Sequence, residues 1–217
     1  MILAAQEQSL RTRAIQSAID GRDVSPLCRM CATAPETAMH IVSACPKIAQ
    51  TWMKERHDRV AAHVHWELCR KYGIECSEKW YEHTPTDVEN EVVEITWDQT
   101  VQTDRYIRHN RPDIIVKLKE ESKWILIDIA VPADYNIEVT EGKKIEKYRD
   151  DLGFEIQRIY RVAETPIVPV VIGALGAMPK QLRQSLETLG IPDIAASIQM
   201  TAILATAGII RRVLNRK

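Results

Sequence analysis

From Pro46 onward, apolar residues return at every fourth position: Val60, Val64, Leu68 and Tyr72. That interval keeps them on one face and predicts a long helix with a single buried stripe, stopped at Gly73. Residues 2–20 carry a weaker stripe of Leu3, Leu10, Ala14 and Ala18 and predict a helix ending near Gly21. After residue 91 the period shortens. Val93, Ile95 and Trp97 alternate with polar neighbours, as a half-buried strand requires. PDIIVKLK (112–119) and KWILIDIAVP (123–132) are two apolar runs around the turn-like EES, a hairpin pattern. The second run is apolar at nearly every position before Asp128, so both of its faces are expected to be covered. Residues 140–161 return to a helical period with Ile145, Tyr148, Leu152 and Ile156 inward, alongside Ile159 or Tyr160. TPIVPVVIGALG reads as another buried strand, and residues 178–189 as a helix with Leu182 and Leu186 inward, stopped by Gly190.

Strands interleaved with helices give an α/β fold with a mixed sheet. The aperiodic stretch 74–91 reads as a connecting loop between an N-terminal region, 1–73, and a main domain, 92–217. Residues 194–210 are uncharged, but they fall short of the ~20 apolar residues a span needs. Ser197, Gln199, Thr201 and Thr206 dilute them further. A buried C-terminal helix is expected, with no membrane partner, and its basic end RRVLNRK suits the negative helix terminus. The first residues, MILAAQEQSLRTR, lack the layout of a signal peptide. Five cysteines, an odd number, argue against a disulfide scaffold. A nuclear or cytoplasmic, intracellular setting is expected. The net charge of -1 means that any nucleic-acid contact must come from a local patch.

Three of the five cysteines crowd into one short stretch: Cys28-x2-Cys31-x8-His40-x4-Cys45. Thiolate and imidazole are the ligands zinc prefers, and four of them complete a tetrahedron. The expectation is one structural Zn2+ with no position open to water, its binding supplying folding energy to a small module. Cys69 and Cys76, with His63 and His65 nearby, make a second metal site conceivable, but their spacing fits no knuckle, and core thiols are the simpler reading.

Two aspartates break the hairpin. Asp113 opens its first strand and Asp128 interrupts its second. A buried carboxylate costs several kcal/mol unless it is paired or metal-bound. On adjacent antiparallel strands the two can converge, as Mg2+ ligation requires. A salt-bridged structural pair would also account for them. RYIRHNRPDIIVKLK sets Arg105, Arg108, Arg111, Lys117 and Lys119, with His109, against one acid, a local phosphate-binding surface. EGKKIEKY adds Lys144 and Lys147, three apart on one helix face.

The series of CCHC knuckle, RHNRPD, IDIAVP and KKIEKY resembles the C-terminal region of non-LTR retrotransposon polyproteins. In these a reverse transcriptase is followed by a restriction-like endonuclease of the PD-(D/E)XK class. WDQTVQTDR and PVVIGALGAMPK look like further segments of that family. The resemblance implies a restriction-endonuclease-like core, preceded by a CCHC zinc module and a long helix. It also implies a Mg2+-dependent endonuclease that nicks DNA to prime reverse transcription. Asp113 and Asp128 would ligate the metal, and Lys144 and Lys147 would be the displaced catalytic lysines, with Tyr148 beside them. The position two after Asp128, where the usual lysine falls, is Ala130. Implied partners are DNA, element RNA and the polymerase domain of a parent polyprotein, of which nothing is visible in this chain. The alternative is a nucleic-acid-binding remnant that keeps its structural zinc and has lost its chemistry. No nucleotide-binding phosphate loop and no G-x-S-x-G motif points to a metabolic enzyme.

Overall fold

Five strands form one sheet in the order β1 (Val88–Glu89), β2 (Val93–Trp97), β3 (Ile114–Leu118), β4 (Lys123–Ala130) and β5 (Ile167–Val171). The first four run antiparallel, and β5 joins β4 in parallel. The sheet is therefore mixed, and Pro169 is tolerated because β5 is an edge strand. The computed structural model describes residues 1–216; Lys217, the end of the expected basic tail, lies outside the described residues.

Alternation along β4 divides two cores. Ile125, Ile127 and Ile129 join Val60, Val64 and Leu68 of the long helix α4 (Lys54–Lys71) on one face. Leu182 and Leu186 of α7 (Leu182–Leu189) and Ile198 of α8 (Ala195–Leu214) complete that layer. Leu126 faces the other way, onto Tyr148, Leu152 and Ile156. The expected single helix over 140–161 is two: α5 (Ile137–Tyr148) and α6 (Phe154–Tyr160), joined by a π-helical turn at Arg149–Gly153. Steps of four drift around a 3.6-residue helix, and a widened turn takes up the drift, so all three residues face the sheet.

The N-terminal stripe does not make one helix. α1 (Ile2–Gln6) and α2 (Arg13–Ala18) are separated by a bend in which Gln8 has φ 53°. Leu3 and Ala18 are exposed, while Ala5 and Leu10 are buried, so the stripe never shared a face. The long helix starts at Pro46 as expected, through α3 (Pro46–Ile48) and a π-helical turn at Ala49–Met53. The connector 74–91 is not wholly irregular: it contains a 3-10 turn at Trp80–Glu82 and the short strand β1.

The cores ignore the expected boundary at that connector. α4 belongs to the core of the sheet, and a further apolar cluster joins Cys28, Cys45 and Ile48 to Ile209, Ile210 and Val213 of α8. Pro192–Leu214 is long and apolar enough to cross a membrane by length and composition, a wider span than the uncharged stretch suggested. In this fold it packs along α4. Its buried Thr201 hydroxyl lies 3.0 Å from His63 Nδ1, and its buried Thr206 hydroxyl accepts from Arg56 at 3.0 Å.

Candidate functional site

The cysteine cluster assembles around a tight turn. Ala32 N–H donates to the Cys28 carbonyl at 2.8 Å, with Ala32 in the left-handed region at φ 55°. Leu27 and Pro35 form a bridge behind it. His40 starts the helical turn His40–Ala44, and Cys45 ends it. One ligand atom from each of Cys28, Cys31, His40 and Cys45 lies within 4.8 Å of the others. Cys28 and Cys45 sulfurs are 3.9 Å apart, and Cys31 Sγ is 3.3 Å from His40 Nε2. Tetrahedral zinc with ~2.3 Å sulfur and ~2.0 Å nitrogen bonds gives edges of about 3.8 and 3.5 Å. The four residues are therefore close enough to hold a metal. Burial raises the Cys31 thiol, but hydrogen bonds with Thr33 and His40 outweigh it and bring it down to about 6. Burial, reinforced by Cys28, pushes Cys45 up to about 12.

A buried ion pair anchors this turn. Arg29 Nε and Nη2 donate to the two oxygens of fully buried Glu36, each at 2.8 Å. Burial alone would raise Glu36; Arg29 and the N–H groups of Arg29 and Arg13 keep it below the ordinary carboxylate range. Arg29 Nη1 also donates to the Leu214 carbonyl at 2.9 Å. A guanidinium there satisfies an orphan carbonyl and the negative pole of α8.

The second cluster sits where β3 begins and β4 ends. The β3–β4 ladder ends at Ile114 and Ile127; Asp113, one place before β3, turns its carboxylate to His57 of α4, whereas Asp128 turns to α5. Asp128 is 1% exposed. Its Oδ1 accepts from the Tyr148 hydroxyl at 2.8 Å and from Lys147 at 3.2 Å, and its Oδ2 ion-pairs with Lys144. That Oδ2 has no partner in hydrogen-bonding geometry among the described residues. Burial and the Asp128 charge push the Tyr148 phenol up, so it stays a donor. Asp113 Oδ2 accepts from the Ile129 N–H at 2.6 Å and lies 3.3 Å from His57 Nε2. Burial raises Asp113, but His57 and the Ile129 N–H outweigh it and hold it below the ordinary range.

His57 is a site residue that the sequence did not reveal. Burial would lower it, but Asp113 and Asp58 flank it and carry it up to about 9. It stands on α4 and borders a cleft of about 400 Å³ together with Lys54, Trp97, Arg111 and Asp113. Only its place beside Asp58 in a charged stretch of the helix could have flagged it, and that signal is weak.

The structure thus brings Asp128, Lys144, Lys147 and Tyr148 together, while Asp113 meets His57 of α4 and the Ile129 N–H. The basic strip fares differently. Arg105 pairs with Glu155 at 2.8 Å and Arg111 with Asp98 at 2.7 Å. Lys117 pairs with Glu94 and Lys119 with Glu89. Counting acids only within the strip missed these partners, which come from other elements. Arg108 and His109 are exposed and form no ion pair among the described residues. No protein-family model matches the chain, and no curated protein matches it significantly.

Proposed function

We propose that the chain is a Mg2+-dependent DNA endonuclease domain with a structural zinc knuckle, acting within a retrotransposon polyprotein. One observation carries the reading: a buried carboxylate on a central strand, faced by two lysines and a phenol from the following helix. The Asp128 carboxylate meets two lysines and a phenol, one cation more than a structural ion pair needs. Mg2+ is commonly held by one or two carboxylates with waters and phosphate oxygens, and Asp113 and Asp128 fit that role. When bound, the metal would polarise a phosphodiester and lower the pKa of a water.

The chain's own residues have distinct tasks. Asp113 is positioned by the Ile129 N–H and by His57. Tyr148 orients Asp128 through Oδ1. Lys144 and Lys147, released from Asp128 on metal binding, would face the phosphate and offset charge developing on it. Arg108 and His109 supply the exposed positive edge. Zinc at Cys28, Cys31, His40 and Cys45 would tie the N-terminal turn to α8.

Supercoiled plasmid provides the test. The wild-type chain should convert it to open circles with Mg2+ and leave it intact with chelator. DNA binding without nicking at any divalent concentration would favour the binding remnant.

A further inference from the structure

A second group of metal-ligand side chains lies outside both sites. His65 and Cys69 stand one turn apart on α4, on one face of the helix. His83 reaches them from the connector. One ligand atom from each lies within 4.8 Å of the other two.

The hydrogen bonds fix the tautomer. His65 Nε2 lies 3.0 Å from the Thr86 carbonyl, which has no proton to give. Nε2 therefore carries the ring proton, and Nδ1 presents its lone pair. Two groups converge on that lone pair: His83 Nε2 at 2.8 Å and Cys69 Sγ at 3.5 Å. One lone pair cannot fully satisfy both donors. A cation replacing the two protons would satisfy all three groups at once. Ring N–H donation to a backbone carbonyl is also the usual orientation of a metal-bound histidine.

The dimensions agree. A tetrahedral zinc site has S···N edges of about 3.5 Å and N···N edges of about 3.3 Å. The sulfur edge matches, and the two rings need to part by about half an ångström. Trp97 packs edge-on to the His65 ring, with centroids 5.8 Å apart, and shields one side.

We propose that His65, Cys69 and His83 form a second site for a borderline-soft divalent cation, zinc being the natural occupant, with the fourth position left to water. The site clasps the connector to α4. It is independent of the nuclease reading.

The test uses the intact chain, expressed in zinc-supplemented medium and desalted without chelator. Metal per folded chain is read by plasma mass spectrometry. We expect about two zinc ions in the wild type and about one in His83→Asn. His83 is half-buried on the connector, so this exchange disturbs little packing. Cys69→Ala gives a second variant of the same site and should also hold one. Cobalt substitution should show thiolate-to-metal charge transfer in Cys31→Ser that disappears in Cys31→Ser combined with His83→Asn. A single zinc in the wild type, or two retained in either His83→Asn or Cys69→Ala, overturns the proposal.

Discussion

Arg56 shows how the N-terminal turn, α8 and the sheet are locked into one body. It is 2% exposed on α4 and donates to the Val42 carbonyl at 2.8 Å, the Thr206 hydroxyl at 3.0 Å and the Val131 carbonyl at 3.0 Å. Those acceptors belong to the knuckle helix, to α8 and to the segment just after β4. Burial lowers the guanidinium to about 10, with Asp134 partly offsetting it. Arg56→Met keeps most of the stem volume and removes all three donors. Each buried acceptor left unpaired costs ~1–3 kcal/mol. Part returns because the buried charge disappears with the side chain and because Arg56 Nε has no hydrogen-bond partner among the described residues. We expect a net loss of about 3–5 kcal/mol, the range for breaking a buried charged contact. At ~2–4 °C per kcal/mol for a chain of this size, the melting midpoint should fall by roughly 6–20 °C. Urea unfolding followed by circular dichroism reads the same loss. Arg56→Lys, with one nitrogen to share among three acceptors, should fall between. A change below ~1 kcal/mol in Arg56→Met would refute the reasoning, since even one orphaned acceptor should exceed it.

Cys45→Ser, or prolonged chelation, should lower the melting midpoint and expose the cluster that the knuckle shares with α8, read by dye binding and proteolysis around residues 28–45; an unchanged proteolytic pattern would count against a metal there. DNA affinity should fall with salt, and Arg108→Ala should reduce the slope of log K against log salt by about one. Arg105→Ala and Arg111→Ala should reduce it less, because both cations already face acids; equal effects from all three would show that the ion pairs open on binding. Burial lowers His63 to about 4, against an unfolded value near ~6.5. Its contribution is therefore intact above pH ~6.5 and lost as pH falls towards 4, about 3 kcal/mol in all. His63→Gln should flatten that part of the stability–pH curve, and an unaltered curve would contradict it.

Much of the fold was legible because it is local. The four-residue stripe of α4, the hairpin runs of β3 and β4 and the glycine after α7 each declare an element within a short window. β1 was not legible, because two residues carry no period. The break between α1 and α2 goes with Ala5 and Leu10 joining the buried cluster at α8, and no window of 2–20 contains that. The candidate sites divide in the same way. The Cys28, Cys31, His40 and Cys45 cluster follows from spacing, since all four side chains lie within one stretch. Asp113 and Asp128 announce themselves as acids in apolar runs, and the lysines and tyrosine that meet Asp128 come from the helix that follows. His57 comes from 56 positions away along the chain, and Glu155 and Asp98 reach the basic strip from a helix and a loop. His83 meets His65 only because the connector folds back over α4. Such partners are set by topology, which a single sequence does not spell out.

The central claim is that Asp128 serves chemistry and not merely the architecture of the sheet. Asp128→Asn keeps the shape, and its remaining oxygen can still accept from Tyr148, so the fold and DNA binding should survive. The decisive measurement is single-turnover nicking of supercoiled plasmid in Mg2+ by the wild type and by Asp128→Asn, with binding of the same DNA measured alongside. The account predicts unchanged binding and a rate lowered by several powers of ten, each factor of ten being ~1.4 kcal/mol of barrier. Lys144→Ala and Lys147→Ala should fall between the two. A folded Asp128→Asn chain that nicks at the wild-type rate would contradict the account.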